Sequence, residues 1–198
     1  MRGTTVRNAI ALTLLATALA GCVSFGAKAP KQLITLTPDA SAPAGALGSG
    51  KLDDAIVVLD PQADRKLDAQ RVPVQVDEAN VAYLKDAVWV ERPARQFRHL
   101  LAETIRAKGQ RLVLEDSDDQ AGGKVRLGGR LIEMGYDVRS RSVIVRYDAL
   151  RQDGGSTTVT SRRFEAEVGD VDPKAAAVAP ALNKAANDVA RQVADWVG

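Results

Sequence analysis

One cysteine and one histidine are all that the 198 residues offer of the side chains that most often build metal sites and nucleophilic centres. Cys22 has no second thiol to pair with, so an intramolecular disulfide is excluded. Cys22 and His99 together cannot supply the ligand set of an ordinary zinc site. His99 has no Gly-x-Ser-x-Gly nucleophile motif anywhere in the chain to serve as base. Carboxylates are plentiful, but no spacing selects a glycosidase-like pair, which leaves a hydrolase as the weakest reading. The acidic cluster from Glu115 to Asp119 lacks the alternate ligands, central Gly and closing Glu of a calcium loop, so it reads as a solvated turn. The glycines between Gly45 and Gly50 lack a Gly-Lys-Ser/Thr ending, so they read as a flexible loop. Aromatics are scarce, with three Phe, two Trp and three Tyr, which puts the weight of any core on Val, Leu, Ile and Ala. There is no repeat of solenoid or propeller period and no apolar run of the roughly 20 residues that a membrane-spanning helix needs.

Acidic residues are also missing from the first 38 positions, while Arg2 and Arg7 precede an apolar stretch from Ala9 to Leu19. A basic start, a short apolar core and small residues before a cut are the layout of a secretory signal. The stretch ends in Leu19-Ala20-Gly21-Cys22, which resembles the lipobox of bacterial lipoproteins. The resemblance implies cleavage before Cys22 and acylation of its thiol. On that reading residues 1–21 are a signal peptide, 22–31 are the lipidated cysteine and its tether, and 32–198 form one domain. About ten tether residues reach at most roughly 35 Å, so the domain stays near its membrane. Two acyl chains hold firmly where one holds only marginally. The following Val23-Ser24, with no Asp after the cysteine, points to the outer membrane and its periplasmic face.

The charge balance changes once the signal is set aside. The whole chain has 27 Lys and Arg against 25 Asp and Glu, and both signal arginines belong to the basic side. The mature chain from Cys22 onward is neutral, with 25 basic against 25 acidic residues. A nucleic-acid partner, which calls for a basic stripe, is therefore not indicated.

The periodicity predicts an α/β (α+β) fold: a mixed β-sheet with an antiparallel C-terminal meander, packed by two main helices at about 93–108 and 173–197. The segment from Leu33 to Thr37 is β-branched and closed by Pro38. Ala55 to Leu59 is apolar throughout, as expected of a strand buried on both faces. Val72, Val74 and Val76 alternate, with Pro73 placing that strand near an edge or at its first residue. Val81 to Val90 follows. Pro93 opens a helix whose stripe is Ala94, Phe97, Leu100, Leu101 and Ile105. Three strands, about 124–136, 143–147 and 157–168, form the meander, with a bulge expected at Gly128-Gly129, where the apolar phase changes. Asp172-Pro173 reads as the cap of the last helix, and Pro180 as a kink or restart within it.

Tyr83 and Trp89 are the most specific contact candidates, six residues apart and so on one side of a regular strand. Burial in the core and docking to a partner or acyl chain are both open at this point. The run Leu33-Ile34-Thr35-Leu36-Thr37-Pro38, the Val-rich strand to Val76, and Tyr83-Leu84-Lys85-Asp86-Ala87-Val88-Trp89 followed by Pro93 resemble the ABC-type transport auxiliary lipoproteins. The resemblance implies a non-catalytic lipoprotein without a cofactor. It would work beside an ABC permease and ATPase and dock an MCE-domain protein that moves lipid between envelope membranes. It leaves room for a homo-oligomer. Tyr83, Trp89 and Arg92 are then the residues expected to touch that partner. The alternative is a periplasmic lipoprotein that itself binds a lipid or small ligand, which needs an apolar cavity.

Overall fold

A computed structural model describes residues 32–45, 50–109, 111–115 and 125–198. Cys22 and its tether, most of the Gly45 to Gly50 loop and the acidic cluster beyond Glu115 lie outside the described residues. The elements in chain order are β1 (Ile56–Val58), β2 (Gln62–Ala63), β3 (Arg71–Gln75), β4 (Val81–Val88), α1 (Pro93–Ala107), β5 (Val113–Glu115), β6 (Val125–Asp137), β7 (Ser142–Gln152), β8 (Val159–Val168) and α2 (Ala175–Val197). They form one mixed sheet of eight strands with both helices packed against it, as the periodicity predicts.

The long strand β6 organises the sheet. Along one edge it pairs antiparallel with β7, which pairs antiparallel with β8. Along its other edge it takes β1, β2 and β3 in turn, all parallel. Strand β5 lies outside β1 in parallel, and β4 lies outside β3 antiparallel. The Ile56–Val58 run is buried throughout because it sits between β5 and β6. Strand β3 is interior instead of an edge. Pro73 is tolerated there because the pairing of β3 with β6 begins at Val74, so no donor to β6 is needed from residue 73.

Apolar side chains from alternate positions of the meander, including Leu131, Met134, Val143, Val145, Tyr147 and Phe164, meet the helices. Helix α2 brings Val178, Leu182, Val189 and Val193 to that surface, with Ala185, Ala186, Ala190 and Ala194 letting it lie close. Each fully buried Val or Leu contributes about 1.5–3 kcal/mol. Phe97 of α1 meets Tyr147 edge to face at 5.2 Å, and Trp196 of α2 tilts over Phe164 at 5.6 Å. Helix α2 begins at Ala175, with Lys174 at the cap position and no side-chain cap, so Asp172 and Pro173 precede it. Pro180 does not break it. Pro180 is exposed, as is Ala176, whose carbonyl would otherwise accept the N–H that proline lacks.

The expected bulge is displaced. Gly128 and Gly129 keep regular partners in β7, and the register shifts at Ile132 instead. The glycines serve close approach: a Cβ on Gly129 would stand 2.0 Å from the Asp148 carbonyl oxygen, and its φ is +141°. The Tyr147 hydroxyl donates to the Gly128 carbonyl at 2.5 Å, and burial pushes that phenol well above its usual range.

Residues 32–45 form an extended strap on the helix layer, where the sequence predicts a strand. Its only bridge to the sheet region among the described residues joins Ile34 to Trp89. Beyond it, side chains satisfy the backbone. Leu36 N–H donates to Gln96 Oε1 at 2.9 Å, Thr37 N–H to Asn183 Oδ1 at 2.8 Å, and Asp39 N–H to Asn187 Oδ1 at 2.8 Å. The Asn187 amide returns a bond to Thr37 O at 2.9 Å, and Ala42 N–H donates to Glu103 Oε1 at 2.9 Å. This accounts for the burial of two polar side chains, Gln96 of α1 and Asn187 of α2.

Candidate docking face

Both helices lie on one side of the meander, so the odd and even positions of its strands have opposite fates. The side away from the helices carries two rows of charge that cross three strands each. In the first row Asp64 accepts from Arg130 at 2.5 Å, Arg130 stands opposite Asp148, and Arg163 grips Asp148 through two bonds of 2.6 and 2.7 Å. In the second, Lys66 donates to both oxygens of Glu133 at 2.8 Å, Glu133 stands opposite Arg146, and Arg146 donates to Glu165. Each row alternates in sign from β6 to β8. The hydrogen bond from Arg163, helped by the fields of Arg163, Arg146 and Arg130, holds the Asp148 carboxyl below the usual carboxylate range. Asp148 in turn raises Arg163.

Exposed ion pairs are worth about 0–1 kcal/mol each, so these rows add little to the fold. Their stronger consequence is for what can lie against them. A surface that brings a like charge to any position of a row, or strips water from it without replacing the bonds, meets a penalty.

Two open depressions flank the rows. One, of about 570 Å³, is lined by Lys66, Gln75, Glu133, Gly135, Ile144 and Arg146 among others. The other, of about 510 Å³, is lined by Leu59, Gly128, Leu150, Val159, Arg130 and Asp148 among others.

The contact candidates separate on this frame. Tyr83 and Trp89 do not share a side, because β4 is irregular: the single residue of β3 between Arg71 and Pro73 faces the four residues of β4 between Tyr83 and Val88, and Asp86 adopts φ +59°. The ring of Tyr83 is half-buried, with the Arg71 guanidinium 4.8 Å from its centroid and its hydroxyl 3.5 Å from Lys66 O. It therefore borders the second row. Trp89 turns into the core at 1% exposure. Its side chain has no surface to offer a partner, which corrects the pairing of the two expected from their spacing. Arg92 is exposed just before α1, 3.2 Å from Asp68. The row residues Arg130, Asp148, Arg163, Glu133, Arg146 and Glu165 escape a reading of sequence alone, since only the strand register brings them together.

His99 lies half in solvent with Nδ1 2.6 Å from Glu115. Its neighbour Arg98 is buried and pairs with Asp60 at 3.0 Å and Glu115 at 3.3 Å. That cluster pins α1 to the ends of β1 and β5. Among the described residues no group of His, Cys, Asp and Glu is placed to hold a metal ion, and no helix is long and apolar enough to cross a membrane.

The model of the ABC-type transport auxiliary lipoprotein component matches residues 35–194. The chain belongs to that family. The match spans most of the strap, the whole sheet and nearly all of α2, so the elements that build the charged face are part of the family's domain. Among solved structures, protein XCC0632 from Xanthomonas campestris shares the fold at a TM-score of 0.63 and 17% identity, covering 85% of this chain and 92% of its own. A second, titled only as an uncharacterized protein, has a TM-score of 0.60 and 13% identity over 77% and 97% of the two chains. PelC from Paraburkholderia phytofirmans, solved as a dodecamer, has a TM-score of 0.43 at 13% identity over 75% and 92%, too distant to inform this auxiliary lipoprotein's assembly. A search of curated proteins finds no match.

Proposed function

We propose that this auxiliary lipoprotein is a non-catalytic adaptor of an ABC/MCE-type lipid transport system. Acyl chains on Cys22 hold it at the periplasmic face of the outer membrane, and the uncovered sheet face docks the MCE assembly. The observation that carries the reading is the asymmetry of the domain. One side of the sheet is sealed by helices and a strap, while the other presents ordered, paired charges bordered by Tyr83 and Arg71. Such a face suits a polar, register-specific contact. The two depressions beside the charge rows are open to solvent, whereas a carrier of acyl chains needs an enclosed apolar cavity.

The test combines chemistry with capture. Mass spectrometry of the mature N-terminal peptide should find the thioether-linked lipid on Cys22. A C22A chain should leave the membrane fraction, and the MCE-domain protein should co-purify with the lipidated form from detergent-solubilised envelopes. An unmodified thiol on a freely soluble mature chain would contradict the anchor, and purification without the MCE protein would contradict the adaptor role.

A further inference from the structure

Two of the apolar side chains that stay exposed stand where the strap meets the sheet. Ile34 N–H donates to Val88 O at 2.8 Å and Val90 N–H donates to Ile34 O at 2.9 Å, which sets Ile34 beside Trp89. Those two side chains turn inward, at 8% and 1% exposure. Alternation therefore turns Leu33, Val88 and Val90 outward. Leu33 is 52% exposed and Val90 51%, and Val88 is half-buried. Charges of both signs surround this patch. Arg92 lies 3.2 Å from Asp68, Arg95 lies 2.9 Å from Glu91, and Lys85 is exposed on the same edge strand.

We propose that Leu33, Val88 and Val90 rest on the phospholipid bilayer that holds Cys22, so that the sheet stands on its β4 edge. The contact rests on the anchor proposed above. The ten residues 22–31 reach at most roughly 35 Å, so the start of the strap is the part of the domain held closest to the membrane. A tethered surface meets the bilayer at high effective concentration, and a small apolar contact then suffices to orient it. The acyl chains supply the affinity that the patch alone lacks. Lys85, Arg92 and Arg95 can lay their methylene stems along the apolar boundary and keep their charges among the headgroups. Asp68 and Glu91 balance the two arginines, which suits a layer of zwitterionic headgroups.

This orientation decides where the charge rows point. From β4 through β3, β6 and β7 to β8 the sheet extends four strand spacings, about 19 Å, away from the bilayer. The rows cross from β6 to β8, so they lead away from the lipid and end at Arg163 and Glu165. Leu150 and Val159, also exposed, lie on β7 and β8 and stay clear of the membrane.

The acylated sulfur of Cys22 takes no thiol label, so one introduced cysteine can carry a bimane fluorophore alone. Lipidated L33C, K85C, V90C, S161C and K184C chains are placed in vesicles of phosphatidylethanolamine and phosphatidylglycerol containing a spin-labelled lipid that quenches bimane on contact. Labels at 33, 85 and 90 should be quenched, and labels at 161 and 184 should keep their emission. Position 33 lies beside the tether however the domain sits, so position 90 decides. Adding L33D and V90D to the K85C chain changes only half-exposed positions, and it should abolish quenching at 85 while leaving the unfolding midpoint in place. A vesicle-bound chain unquenched at 90, equal quenching at 90 and 161, or quenching at 85 that survives L33D with V90D would overturn the contact and leave the anchor standing. A chain that does not stay on the vesicles would overturn the contact together with the anchor. No MCE-domain protein is present in these vesicles, so the contact stands or falls separately from the docking role.

Discussion

Replacing Trp89 with alanine is expected to remove about 3–5 kcal/mol of stability, the usual cost of truncating a fully buried tryptophan. Trp89 is 1% exposed and is among the largest of the fully buried side chains. It also stands where the strap meets the sheet, because Ile34 N–H donates to Val88 O at 2.8 Å and Val90 N–H donates to Ile34 O at 2.9 Å. The cavity left by W89A therefore undermines two layers at once, and chemical denaturation should show the loss together with faster proteolysis of residues 32–45. Trp89→Phe should be far milder. The indole Nε1 is buried without an acceptor among the described residues, and such an unmet donor costs about 1–3 kcal/mol, which the phenyl ring does not incur. If W89A leaves the denaturation midpoint in place, the side chain is not the packing element described.

Gly129→Ala is expected to cost more than about 4 kcal/mol, in the range reserved for strain and forced overlap. At φ +141° an L side chain is strained whatever the space, and here there is none. The new Cβ would run into the backbone of β7, with the Asp148 carbonyl oxygen at 2.0 Å and the Ala149 Cα at 3.0 Å. Backbone cannot step aside as a flexible side chain can, so β6 and β7 must part where the first charge row crosses them. Gly169→Ala is the control. It meets nothing within 4 Å, and its effect should stay within about 0.5 kcal/mol. A G129A chain with an unchanged unfolding midpoint would show that the close approach of the two strands does not hold in solution.

The parts of this fold that sequence makes legible are those fixed by local periodicity. The apolar stripe beginning at Ala94 and the proline at the first helical position locate α1 to within a residue. Val178, Leu182, Val189 and Val193 locate α2 despite Pro180, because the helix holds that proline on its solvent side. The buried run at Ile56–Val58 announces a strand covered on both faces. Features decided by distant partners stay hidden. Residues 33–37 have strand-forming side chains, yet they become a strap because Gln96, Asn183 and Asn187 supply the bonds that a neighbouring strand would. Tyr83 and Trp89 share a phase only if β4 is regular, and the positive-φ irregularity at Asp86 cancels that phase. The two charge rows depend on the pairings of Arg130 with Asp148 and of Glu133 with Arg146. These in turn depend on a bulge at Ile132 that no glycine marks.

The charged face connects the architecture to the proposed role, since a domain whose helices close one side of its sheet leaves the other side for contact. Site-specific photo-crosslinking in intact cells tests this most directly, with the photoreactive side chain placed at Tyr83 on the charged side and at Lys184 on the outer surface of α2. An adduct with the MCE-domain protein from position 83 and none from position 184 is the result expected. Adducts from position 184 alone, or from neither position while the lipoprotein is correctly anchored, would contradict docking through the open sheet.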